Sequence, residues 1–221
     1  MAVFAPNLTS KLLAKSVLEQ ALPATARVLE IGCGSGWITQ QIASKLGSQS
    51  IKYHLSDISD EAIQEAKVQL LNDIPKAIYR VGPGLKPWST ESDFDLIIND
   101  IAGIADSIAQ ISPWYVDVPS YAGRDGLANT RDVLRGIPGL LAKQGFYAAP
   151  VISLANANEH KRLLEHVFRT VRYINRVWWP LPKEILNHSS ELDLLVAEFG
   201  IEVKRKYGSI LAFTEVAICE L

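Results

Sequence analysis

Short apolar runs and stripes of helical period alternate along this chain. Strand-like runs fall at residues 27–31, 51–56, 77–81, 94–99, 145–152, 170–178 and 210–219. Between them, apolar positions recur at helical spacing over residues 35–46, 60–71, 126–142, 158–168 and 189–199. Ser59 precedes Asp60 and Glu61, which reads as an N-cap with acidic residues in the first turn. Strands alternating with helices predict an α/β fold whose mostly parallel sheet is covered on both faces. Residues 1–22 form a helical lead-in with one apolar stripe, Leu12, Leu13, Val17 and Leu18. The longest irregular stretch, residues 100–124, leaves the carboxyl end of the fourth strand, where open α/β sheets bind ligands. A loop of that length there predicts a substrate lid. No repeat or composition shift marks a second domain, so residues 1–221 read as one.

The first strand runs into Glu30 and then Gly32, Cys33, Gly34, Ser35 and Gly36. Three alternate glycines permit a sharp turn from strand to helix and let backbone approach a ligand. A dinucleotide fingerprint is Gly-x-Gly-x-x-Gly. Here the third glycine comes one residue early and an acid precedes the first by two. That pattern resembles the first motif of class I S-adenosylmethionine-dependent methyltransferases. Asp57, at the end of the second strand, stands where a carboxylate accepts hydrogen bonds from both ribose hydroxyls. The other readings of the turn are an NAD site or a tight structural turn.

Three further segments resemble the release-factor and ribosomal-protein glutamine N-methyltransferases: Val3-Phe4-Ala5-Pro6 with Thr9, Leu12 and Leu13; Phe94 to Asn99; and Gly123-Arg124-Asp125-Gly126-Leu127 with residues 138–145. Together they cover most of residues 3–152. The resemblance implies a Rossmann-like class I methyltransferase with seven strands, the last antiparallel, and S-adenosylmethionine as cofactor. It also implies cofactor contacts from Phe4, Thr9, Glu30, Gly32, Cys33, Gly34 and Gly36. Asp57, Ile58 and Asn99 complete the implied cofactor set, and Asn99 is the implied catalytic residue. Where that family has Asn-Pro-Pro-Tyr, this chain has Asn99-Asp100-Ile101-Ala102, so the prolines and the stacking ring are absent. Asp100 puts a carboxylate at the expected acceptor position. There it takes a proton from the acceptor or anchors a cationic one, or else it caps the next turn. Trp114, Tyr115 and Tyr121 either line an acceptor pocket or pack the loop onto the sheet.

Composition narrows the partners. The chain has 22 Lys plus Arg against 24 Asp plus Glu, so generic nucleic-acid binding is not expected. The one dense basic run, Lys204-Arg205-Lys206, reads as a solvated loop or edge. Two cysteines, Cys33 and Cys219, make neither a disulfide framework nor a metal site, and no metal is expected. No stretch is apolar enough to span a membrane, and no secretory leader is visible, so a cytoplasmic monomer or homodimer is expected. His54, mid-strand, reads as a core residue. The expected partner is a small-molecule, peptide or protein methyl acceptor. The competing readings are an enzyme of the same fold that cyclises or rearranges S-adenosylmethionine and a non-catalytic partner subunit.

Overall fold

β1 (Arg27–Ile31) runs through the interior of the sheet, and Val28, Leu29 and Ile31 have no exposed surface. This computed structural model describes residues 3–47, 50–206 and 208–221. β1 pairs in parallel with β2 (Lys52–Asp57) and with β4 (Phe94–Asn99), β2 with β3 (Ile78–Val81), and β4 with β5 (Leu141–Ile152). β8 (Ser209–Glu220) inserts antiparallel between β5 and β6 (Thr170–Pro180). The order is β3-β2-β1-β4-β5-β8-β6, with β7 (Lys204–Lys206) forming a hairpin with β8. The sheet thus has the expected antiparallel last strand, plus one short strand at the basic run. All three β7 residues are exposed, as an edge requires.

Alternation along the strands divides the core in two. Val28, Leu55, Leu96 and Ile98 face α1 (Leu8–Leu18), α2 (Trp37–Leu46) and α3 (Asp60–Leu70). Leu29, Ile31, Ile97 and Tyr147 face α5 (Ala128–Leu140) and α6 (Ala157–Val167). Three helical caps follow from local chemistry. The Asn7 side chain accepts from Thr9 and Ser10 N–H, Ser59 from Ala62 and Asn156 from Glu159. Glu215 on β8, 3% exposed, is held by Nε and Nη2 of Arg176, each at 2.9 Å, and by Lys161 at 2.7 Å.

The structure departs from the sequence pattern at three places. α2 starts at Trp37 rather than 35, because Gly36 takes a left-handed φ of 78° that ends the turn and opens the helix. β5 begins at Leu141, which is already extended and pairs with Phe94, so α5 stops at Leu140 despite the helical period beyond it. Residues 100–124 are not featureless: α4 (Asp106–Ile111) and a 3₁₀ turn (Pro113–Tyr115) lie within them. Together with α7 (Lys183–Leu186), α8 (Ser189–Phe199) and the ends of β6 and β8, they enclose a third apolar core. It contains Ile104, Ile108, Leu154, Leu181, Ile185 and Ile201. This core forms a cap over the carboxyl edge of the parallel strands. Among the described residues no helix is long and apolar enough to cross a membrane.

Leu29 has no exposed surface and packs at the centre of the second core. Leu29→Ala is expected to lower unfolding stability by about 2–5 kcal/mol, measured by urea denaturation. A loss well below that range would mean that this part of the sheet collapses around the cavity.

Candidate active site

The glycine turn is fastened to the end of β2. Gly32 and Cys33 donate their N–H groups to the Ser56 carbonyl at 2.8 and 3.0 Å. Gly34 N–H donates to Asp57 Oδ2 at 2.9 Å, and Ser59 N–H to Oδ1 at 2.9 Å. Gly32 has φ 73°, and a Cβ there would stand 2.8 Å from the Ile101 side chain. At Gly36 a Cβ would stand 2.7 Å from Leu70. A side chain at either position would therefore push the turn off its neighbours.

Glu30 closes the start of α2. That helix has a glycine at its N-cap and no side-chain cap of its own. Thr39, in its first turn, donates its N–H at 3.1 Å and its hydroxyl to Glu30 Oε2, which satisfies a free helical N–H. Burial raises the Glu30 carboxyl to about 8. The Thr39 hydroxyl pulls it down, and the neighbouring charges of Asp100 and Asp57 push it further up.

β1 and β4 run in register, Glu30 opposite Ile98 and Ile31 opposite Asn99. Glu30 and Asp100 consequently share the face that looks toward α1, while Asn99 looks the other way. The Asn99 amide donates to the Tyr147 hydroxyl at 2.7 Å, and its Oδ1 accepts from Ile101 N–H at 3.3 Å. Asn99, named from the sequence for cofactor and acceptor, is 4% exposed and is not among the residues that line the cavity. Asp100 does line it, and Oδ2 accepts from the Ser10 hydroxyl at 2.8 Å. Its side chain opens onto the cavity but is otherwise enclosed by protein. Desolvation pushes its carboxyl up to about 7 against the lowering effect of Ser10.

The cavity, about 1450 Å³, runs from the glycine turn to the cap. Phe4, Thr9, Glu30, Gly32, Cys33, Gly34, Asp57 and Ile58 line it, whereas Gly36 stands just behind and shapes the turn. Gly82 to Leu85 add a further backbone-rich edge. Trp114, Tyr115 and Tyr121 line its outer part. Tyr115 packs on Phe4 with ring centroids 5.2 Å apart, and Trp114 meets Trp179 edge-on at 5.5 Å. Burial and the Asp100 charge push the Tyr115 hydroxyl upward. Burial likewise raises the Cys33 thiol, aided by Glu30 and Asp57, so Cys33 carries no thiolate nucleophile. His54 is core, with Trp88 and Phe94 edge-on to its ring, and burial lowers its pKa. Among the described residues no cluster of His, Cys, Asp and Glu has the arrangement of a metal site.

Ser10 was not legible as a cavity residue, whereas the pair Trp178-Trp179 reads from sequence either as a pocket wall or as core and edge packing. Ser10 is a buried hydroxyl three residues before Leu13 on the apolar stripe of α1, and that break in the stripe is its only signal. Trp179 lines the cavity, while Trp178 turns to the other face against Phe213. The pair thus separates by strand alternation.

A three-glycine turn with flanking carboxylates, at the carboxyl edge of a sheet in this order, defines a Rossmann-like nucleotide-binding methyltransferase fold. The chain belongs to the methyltransferase-domain family, whose sequence profile matches residues 23–213, and S-adenosylmethionine is the cofactor of that family. It is 36% identical over 90 residues to the biotin biosynthesis bifunctional protein BioCD of Bordetella avium, a match covering 41% of this chain and 18% of that protein. It is 36% identical over 110 residues to the ribosomal protein L11 methyltransferase of Lactobacillus gasseri, covering 49% and 32%. The matches thus span a third or less of these relatives' lengths. The crystal structure of a ribosomal protein L11 methylase from Lactobacillus delbrueckii subsp. bulgaricus superposes with a TM-score of 0.57 at 18% identity, covering 99% of this chain and 81% of that one. At that identity the likeness is one of fold.

The residues present fit a sulfonium nucleoside. Asp57 keeps a second lone pair on each oxygen for ribose hydroxyls. Oxygen atoms of Glu30, Asp57 and Asp100 line the chamber and offer lone pairs to it.

In the unfolded chain Glu30 titrates near 4.5, whereas in the fold it holds its proton to about 8. Between those values the folded state binds more protons than the unfolded one, so stability falls as pH rises, and below 4.5 the contribution is constant. Glu30→Gln removes this titration and leaves that of Asp100. Its melting temperature is expected to drop less than that of the unaltered protein across that window. Parallel profiles in thermal melts would refute the assignment.

Proposed function

We propose that this protein transfers a methyl group from S-adenosylmethionine to a nitrogen or oxygen atom of an acceptor bound beneath the cap. The observation that carries this reading is the size and continuity of the cavity. At about 1450 Å³ it exceeds the roughly 300–1,000 Å³ of a single drug-sized site and extends beyond the glycine turn to an aromatic wall. When bound, S-adenosylmethionine supplies an electrophilic methyl carbon. Transfer to it needs chiefly an in-line approach at close range, and orientation of that kind is worth effective molarities of about 10⁵ M or more. The chain's part is to hold the acceptor between Asp100 and the rings of Trp114, Tyr115 and Trp179 and to exclude water.

Two features argue against the glutamine-amide reading. The segment after Asn99 lacks the two prolines and the aromatic plate, and Asn99 is spent on Tyr147. An enzyme acting on its own cofactor calls for a sealed cavity little larger than that cofactor, which the volume disfavours. A non-catalytic subunit has no need for Glu30, Gly32, Gly34 and Asp57 to stand at the cavity together.

Calorimetric titration with S-adenosylmethionine and S-adenosylhomocysteine is expected to give micromolar binding of both. Mass spectrometry is expected to find S-adenosylhomocysteine only after addition of a cell extract that supplies acceptors. Absence of binding would overturn the reading. Methylthioadenosine formed without extract would transfer the assignment to chemistry on the cofactor itself.

A further inference from the structure

The outer half of the cavity joins an apolar aromatic chamber to one polar corner. Tyr115, Trp114 and Trp179 wall the chamber, with Leu154 and Leu181 between them. The corner is Asp100 with Ser10, whose hydroxyl hydrogen is committed to the carboxylate at 2.8 Å. The corner therefore offers lone pairs: two carboxylate oxygens and the remaining acceptor capacity of Ser10 Oγ. Such a corner matches a group with several N–H donors and a positive charge.

Among the described residues nothing neutralises Asp100: no Lys, Arg or His pairs with it. The titratable groups around it are Glu30 on β1 and Tyr115 on the 3₁₀ turn, neither of them cationic. The two basic residues that line the cavity, Lys86 and Arg135, are both exposed, and Arg135 is occupied by Asp132 at 2.6 Å. An enclosed carboxylate without a counter-ion is costly, and a cationic guest relieves that cost. Aromatic faces add attraction for the same charge and hold an apolar body beside it.

We infer that the acceptor is a primary or secondary amine carried on an apolar, aromatic body, its ammonium held by Asp100 and Ser10 and its body by the Trp114–Tyr115–Trp179 wall. This rests on the methyl-transfer reading and names the acceptor class for it. Asp100 also serves as the proton acceptor. One ammonium N–H bond breaks, the proton goes to a carboxylate oxygen, and the bonding pair remains on nitrogen as the lone pair that makes it a nucleophile. A carboxyl that titrates to about 7 can exchange that proton near neutral pH.

The test uses 2-phenylethylamine and tryptamine as probes, with 2-phenylethanol and 3-phenylpropionate as uncharged and anionic counterparts. Each is titrated calorimetrically into the whole protein with and without S-adenosylhomocysteine. The unaltered protein is expected to bind the amines roughly tenfold or more tighter than the alcohol, and the acid least. Asp100→Asn, close in shape, is expected to lose the amine preference while keeping its affinity for 2-phenylethanol and S-adenosylhomocysteine. A readout that needs no variant is pH: amine binding is expected to strengthen from pH 6 to 8 as Asp100 ionises, with alcohol binding flat. Equal binding of amine and alcohol overturns the inference. So does an equal loss of S-adenosylhomocysteine affinity in Asp100→Asn, which would give the carboxylate to the cofactor instead. The titrations without S-adenosylhomocysteine keep the amine readout separate. Failure of cofactor binding alone would sink the methyl-transfer reading and leave the cation site standing.

Discussion

The parallel register of β1 against β4 decides where each polar group at the cavity stands. Side chains on a strand alternate between faces, so fixing Ile31 opposite Asn99 also fixes Glu30 and Asp100 on the opposite side, together. Two carboxyl groups thereby enter one enclosed space, where burial raises both and the Asp100 charge adds to the cost of ionising Glu30. The same constraint turns Asn99 into the second core, where Tyr147 uses it as a partner. A slip of one residue would exchange these roles completely.

Around that fixed pair the rest of the chain supplies two enclosures. The glycine turn and the Ser56 and Asp57 end of β2 form a rigid, backbone-rich pocket suited to a nucleoside. The cap formed by α4, α7, α8 and the ends of β6 and β8 forms a second, ring-lined chamber. The first is built from hydrogen bonds at fixed backbone positions. The second is built from apolar packing, so its shape follows from which side chains meet there.

Much of this was legible in sequence, for physical reasons that also set the limit. Among the described residues the apolar runs located seven of the eight strands; β1 and β4 were readable because a parallel strand covered on both faces is almost continuously apolar, and β6 and β8 by their long β-branched and aromatic content. β7 escaped because Lys204, Arg205 and Lys206 are all exposed and owe their extension to pairing with β8. Glu30, the glycines and Asp57 were readable because a tight strand-to-helix turn admits few residues. A polar residue such as Asn99 ending an apolar run signals a special position but not which face it takes, and that choice belongs to the strand pairing. The Trp178-Trp179 pair reads as wall or packing, and only strand alternation decides which ring does which. Ser10 joins the cavity through a contact with a distant segment, so no local window contains its signal.

The placement of β8 carries a consequence for how the site comes into being. Among the described residues β6 has no sheet partner other than β8, and β8 follows both β5 and β6 in the chain. The Thr9 hydroxyl, next to Ser10, meets the Thr214 hydroxyl of β8 at 3.1 Å across 205 positions of sequence. Trp179 Nε1 donates to that same Thr214 oxygen at 3.1 Å. Contacts between such distant segments carry the largest loop-closure cost and form slowly. The nucleotide half is built from α1 and the residues from β1 to β4, and the Asp100–Ser10 corner belongs to the same segments, whereas the ring wall also needs Trp179, whose strand pairs with β8. The ring wall is therefore the part of the cavity that rests on the contacts of longest sequence separation.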